Sequence, residues 1–144
     1  MMAVGPELQI RRLLLALLTF GLVAVLGELV ALGHYEEFRE LIPLVTIGAT
    51  LAVIGWHVWS GGAASLRVFR GMMVVLLLVG LTGVALHMRG SLEFQLDANP
   101  DLSGWPLMYK ILHAKAPPAL APGIMVQLGL LGLVYGYKNT GRDT

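Results

Sequence analysis

The chain has 144 residues, of which 56% are hydrophobic and only 13% charged, with a mean hydropathy of +0.74 and a formal net charge of +1. A water-soluble domain of this size carries about twice that share of charge, and no basic stripe longer than a pair of arginines supports nucleic-acid binding. Cysteine is absent, which excludes disulfides, thiolate catalysis, iron–sulfur clusters and cysteine-type zinc sites.

Four long apolar blocks organise the sequence, at about residues 13–33, 41–59, 71–88 and 119–137. A hydrocarbon core of about 30 Å needs roughly 20 apolar residues in a helix, and a helix satisfies its own backbone polar groups where water is absent. The expectation is therefore one all-α integral membrane domain over residues 1–144, a four-transmembrane-helix antiparallel bundle.

Arg11 and Arg12 precede the first block. The arginine pair, the apolar run and Ala31-Leu32-Gly33 have the outline of a signal peptide. The run is longer than the roughly 7–15 residues of a signal h-region and contains Glu28, so it reads as a span. Gly21, Ala24, Glu28, Ala31 and Tyr35 recur at helical spacing. That stripe points Glu28 into the bundle.

A short link, His34 to Glu40, leads to the second block, where Gly48, Ala52, Gly55 and Trp59 share a face opposite Thr46 and Thr50. His57 lies between Trp56 and Trp59 and reads as an interfacial histidine. The link Ser60 to Ser65 is small and flexible, and in the third block Met73, Gly80, Gly83 and His87 line up. Residues 89–118 form the long link. Within it, Ser103-Gly104-Trp105-Pro106 is a helix start, and Leu107, Met108, Ile111 and Leu112 fall on one side. This predicts a short interfacial helix with Trp105 and Tyr109 at headgroup depth. Pro117-Pro118 opens the fourth block, where Pro122, Met125, Gly129, Gly132 and Gly136 recur at three and four. Gly80, Gly83, Gly129, Gly132 and Gly136 are the candidate helix-packing positions, since small residues let membrane helices approach closely.

Lys and Arg near the block ends set orientation. Arg11, Arg12, Arg67, Arg70, Lys138 and Arg142 fall on one side, against Arg39, Arg89, Lys110 and Lys115 on the other. This places both termini in the cytoplasm and the chain in a plasma membrane, by default a bacterial inner membrane.

Function rests on few polar residues. Glu28 lies about 8 Å inside the outer end of its span, where an ionised carboxylate is costly without a partner. Depth counting groups it with Thr46, His87 and Gln127 in one polar layer. A proton or cation site would use Glu28 and His87, with His34, Glu37, Glu93 and His113 as further metal-ligand candidates. A b-type haem between His34 and His87 is conceivable, although His34 sits about 120° from the inward face. His87, Met88, Met108, His113 and Met125 include soft-metal donors but match no ligand spacing. No cofactor is required by the pattern. No nucleophile elbow, His-Glu-x-x-His helix or phosphate-binding glycine loop is present, so no catalytic residue is assigned. The favoured reading is a non-catalytic accessory, assembly or interaction subunit that meets the lipid bilayer and either a second copy or a membrane-protein partner. The alternative is a small cation-binding or proton-coupled transport protein working through Glu28 and His87.

Overall fold

The computed structural model describes residues 5–33, 35–113 and 120–139. They form five helices: α1 (Pro6–Ala31), α2 (Phe38–Ser60), α3 (Ala63–Ala98), α4 (Gly104–Leu112) and α5 (Leu120–Gly136). Three of them, α1, α2 and α3, are long and apolar enough to cross a membrane, whereas α5 has 17 residues. Their outward faces carry Phe20, Val45, Leu78, Leu86 and Val134, all at least half exposed. Apolar surface this continuous suits a bilayer and would be anomalous in water.

The helix ends follow local chemistry. Pro6 stands in the first turn of α1, where its missing N–H costs nothing. At the start of α2 the Glu40 carboxylate accepts the backbone N–H groups of Glu36 and Glu37, at 3.1 and 3.3 Å. Gly61 ends α2 in the left-handed region at φ 57°, its N–H returning to the His57 carbonyl, and Gly62 caps α3. The link between α2 and α3 is thus two glycines, shorter than the stretch from Ser60 to Ser65.

The largest departure from expectation is α3. It does not stop near Met88 but runs 36 residues to Ala98, about 54 Å at 1.5 Å per residue. Residues 89–98, expected as part of a long link, are helical. Arg89 and Glu93 pair at 2.8 Å one turn apart, and no proline interrupts the run until Pro100, which disfavours helical backbone at Asn99. A hydrocarbon core is about 30 Å thick, so α3 overshoots it by roughly 24 Å. The short helix α4 folds back against α3 and buries Ile111, leaving Trp105, Met108, Tyr109 and Leu112 exposed.

Packing centres on α3 and α5, which meet antiparallel over their small residues. Gly80 faces the Pro122 carbonyl and Val126, Gly83 faces Pro122, Gly129 faces Met73 and Leu77, and Gly132 faces Met73. Beyond that pair, α1 packs on α5 and α2, and α2 packs on α3. Leu128 of α5 presses onto Gly21 of α1. The core consists of Leu18, Leu22, Val25 and Leu29 from α1, Ile47 and Ile54 from α2, Leu66, Phe69, Met73 and Leu76 from α3, and Met125, Leu128 and Tyr135 from α5.

Two expected faces are turned. In α2 the buried positions are Thr46, Ile47, Thr50, Ile54 and His57, so Gly48, Ala52, Gly55 and Trp59 lie outside. The threonines tolerate burial because each hydroxyl donates to its own helix, Thr46 to the Ile42 carbonyl and Thr50 to the Thr46 carbonyl, both at 2.7 Å. In α1 the leucines and Val25 take the inward stripe, and Ala24, Glu28 and Ala31 are exposed.

The glycine contacts differ in what they press against. A Cβ at Gly80 would lie 2.8 Å from the Pro122 carbonyl oxygen and 2.9 Å from the Val126 nitrogen, whereas at Gly132 it would meet the flexible Met73 side chain. Backbone cannot step aside as a thioether can. Gly80→Ala is therefore expected to cost about 1–3 kcal/mol, with Gly132→Ala costing less, as read by thermal unfolding in detergent. Equal losses would mean that α3 and α5 separate freely.

Candidate functional site

The proposed polar layer does not form as a cluster among the described residues. Glu28, His87 and Gln127 are all exposed on the outward faces of their helices. Thr46 alone is buried, and its hydroxyl is committed to Ile42. Glu28 precedes Leu29 and stands about 100° from it around α1, so the inward stripe of Leu18, Leu22, Val25 and Leu29 leaves it exposed. The other ligand candidates are held by local bonds. Glu93 is paired with Arg89, Glu37 starts α2, and the His113 ring stacks on Tyr109 at 4.0 Å while Nδ1 bonds the Tyr109 carbonyl at 3.0 Å. His34 lies outside the described residues. Among the described residues no three of His, Asp and Glu come together as a group able to hold a metal ion.

The interior polar site lies instead at the arginine-bearing end. His57, in the last turn of α2, is fully buried among the helices, and both of its ring nitrogens are engaged. Nδ1 is 3.1 Å from Ser65 Oγ and Nε2 is 3.1 Å from the Tyr135 hydroxyl. Proton counting assigns the tautomer. Ser65 has one hydroxyl hydrogen and donates it to the Gly62 carbonyl at 2.8 Å, so its oxygen accepts from Nδ1–H. In the neutral ring Nε2 then carries the lone pair and accepts the Tyr135 O–H. A neutral histidine thus joins the end of α2, the start of α3 and the end of α5.

Phe69 closes the cluster. Its ring lies 5.5 Å from His57 and 5.2 Å from Tyr135, the latter edge-to-face, and His57 meets Tyr135 edge-on at 5.9 Å. Although serine, histidine and tyrosine are catalytic residue types, Ser65 is 1% exposed and its hydroxyl hydrogen is already donated to a carbonyl. The arrangement binds helices together rather than activating a nucleophile.

Two arginines complete this end. Arg70 donates through Nε and Nη2 to the Gly136 carbonyl, at 3.1 and 2.5 Å, and through Nη2 to the Asn139 carbonyl at 3.0 Å. Arg11 donates to the Tyr135 carbonyl at 3.0 Å and pairs with Glu7 at 3.2 Å. The last carbonyls of a helix have no partners within it and carry its negative dipole end, so two guanidinium groups from α1 and α3 secure α5 from both sides. A periodic trace of the cluster exists in the sequence, since Thr46, Thr50, Ile54 and His57 follow helical spacing. Nothing local links His57 to Tyr135, 78 positions away.

Tyr135→Phe removes the O–H that Nε2 accepts and leaves a buried acceptor unmatched, a change expected to cost about 1–3 kcal/mol. Adding His57→Phe to it should cost less than the two single losses combined, as measured by a double-mutant cycle on thermal stability in detergent. Additive losses would mean that the two side chains do not act as one unit.

No protein-family model, curated protein or solved structure matches the chain, and function is read from its own residues.

Proposed function

We propose that the chain is a non-catalytic interaction subunit of a cytoplasmic membrane, of bacterial inner-membrane type. In this reading α1, α2, α3 and α5 form a four-span antiparallel bundle, and α4 lies at the outer interface. The arginine-bearing end and both termini face the cytoplasm, following the excess of Arg and Lys there.

Glu28 carries the reading. Its ionisable side chain lies three residues, about 5 Å, before the end of α1, is exposed on the outward side of the helix, and makes no hydrogen bond or ion pair among the described residues. A carboxyl facing lipid is costly, on the order of 3 kcal/mol on insertion scales near a helix centre, and is relieved by a polar group from a neighbouring helix. Ala24, Gly27 and Ala31 around it are small and exposed, and a Cβ at Gly27 would meet nothing within 4 Å. A second membrane helix can therefore approach closely at that level. Gly80, Gly83, Gly129 and Gly132 are already occupied by the α3–α5 contact, whereas Gly48 and Gly55 on α2 are open like Gly27 but have no carboxyl beside them.

The test is the size of the species extracted from native membranes in mild detergent. Wild type should run as a complex larger than the 15.5 kDa chain in its micelle. Glu28→Leu should release the monomer, with at least a tenfold weaker association, and Glu28→Gln, which keeps hydrogen-bonding capacity, should retain most of the complex. A wild-type monomer would remove the proposal. Cation flux in proteoliposomes that is abolished by Glu28→Gln would replace it with the transport reading.

A further inference from the structure

Arg11 and Arg70 are consumed by the carbonyls that end α5, but Arg12 is not. It is exposed and makes no hydrogen bond or ion pair with any described residue. Its side chain borders a groove of about 660 Å³ between α1 and α2. Leu15, Ala16 and Phe20 form one wall, and Ile54, Gly55 and Val58 form the other.

The groove is polar only at its arginine end. The hydroxyl of Thr19, which also borders it, is turned back to the Leu15 carbonyl at 2.8 Å and so presents no free donor. Gly55 and Ala16 keep the groove open, since a Cβ on Gly55 would meet nothing within 4 Å. From Arg12 to Phe20 the groove follows α1 for about 12 Å into the apolar span. A guanidinium at the polar boundary above an apolar trough matches a ligand with an anionic head and a hydrocarbon tail. A phospholipid brings the anion and the hydrocarbon in one molecule, whereas a partner helix would have to end at that level to give Arg12 the carbonyls that α5 gives Arg11 and Arg70.

We propose that this groove is a binding site for an anionic phospholipid, its phosphate on Arg12 and an acyl chain between α1 and α2. The site rests on α1 and α2 spanning a membrane and is independent of the partner proposed for Glu28.

The protein is placed in nanodiscs of equal phosphatidylglycerol and phosphatidylcholine, released into mild detergent, and its retained lipids counted by native mass spectrometry. Wild type should retain phosphatidylglycerol over phosphatidylcholine by about fivefold, the ratio expected for one basic residue at a lipid surface. Arg12→Gln should bring the ratio to about one, while Gly55→Leu should reduce retention of both lipids by filling the trough. Arg67→Gln, an exposed arginine on α3 away from the groove, should leave the ratio unchanged.

Equal retention of the two lipids by wild type overturns the site. An equal fall in Arg67→Gln also overturns it, since that reports general charge attraction. Release of the lipid by millimolar inorganic phosphate overturns it in favour of a free-anion site. Failure of wild type to enter nanodiscs at all overturns the membrane reading beneath it, and is distinguished by the protein eluting without lipid.

Discussion

The close approach of α3 and α5 is the constraint on which the rest of the structure depends. Gly80 and Gly83 on one helix, with Gly129 and Gly132 on the other, bring backbone against backbone and side chain into notch. In a bilayer, lipid tails are as apolar as leucine, so helix association relies on fit and dispersion rather than on escape from water. That contact positions Tyr135 beside His57 and the Gly136 carbonyl beside Arg70. Were α5 displaced by a few ångströms, the His57 Nε2 acceptor and the helix-terminal carbonyls would all be left buried and unmatched.

The two ends of the packed helices are built differently. At the arginine end, one histidine, one tyrosine, one serine and two arginines satisfy one another, so four helices are fastened by directed polar bonds. Toward the opposite end the contact is backbone on backbone at Gly80 and Pro122, and α3 then continues, carrying Glu93, Phe94 and Asp97 beyond the apolar stretch with α4 folded against it. Rigid closure at one end and an exposed helical projection at the other suit a protein that presents surfaces to something else.

Sequence pattern made some of this legible and hid the rest for identifiable reasons. The stripes Gly80–Gly83 and Gly129–Gly132–Gly136 were readable because close helix approach has a narrow solution in residue size. The length of α3 was not, because hydropathy reports the solvent around a helix and not the helix itself. Apolar character stops near Met88, yet the backbone has no reason to stop before Asn99-Pro100. The burial of His57 and the exposure of Gly48 and Gly55 inverted the expected face of α2. Small residues permit packing without requiring it, whereas two threonines that satisfy themselves within their own helix, and a histidine with partners on two others, define a buried face as well as any glycine does. The expected convergence of Glu28, Thr46, His87 and Gln127 failed on angle rather than depth. Equal depth is easily counted along each helix, but whether residues meet depends on rotations set by the whole packing.

Glu28 and the arginine pair illustrate how this chain divides polar groups between internal and external use. Arg11 and Arg70 face inward and end on carbonyls, and both ring nitrogens of His57 are engaged within the bundle. Glu28 and Arg12 lie on the outward side of α1, at opposite depths, and neither finds a partner among the described residues. Lipid cannot solvate a carboxyl, and a guanidinium beside an apolar groove is matched by an anion rather than by hydrocarbon. The outward surface of α1 thus leaves two polar groups open among the described residues, one near each end of the helix. Sixteen positions separate them, about 160° around the helix, so one neighbour cannot reach both: Ala24, Gly27 and Ala31 lower the surface beside Glu28, and Ala16 lowers it beside Arg12.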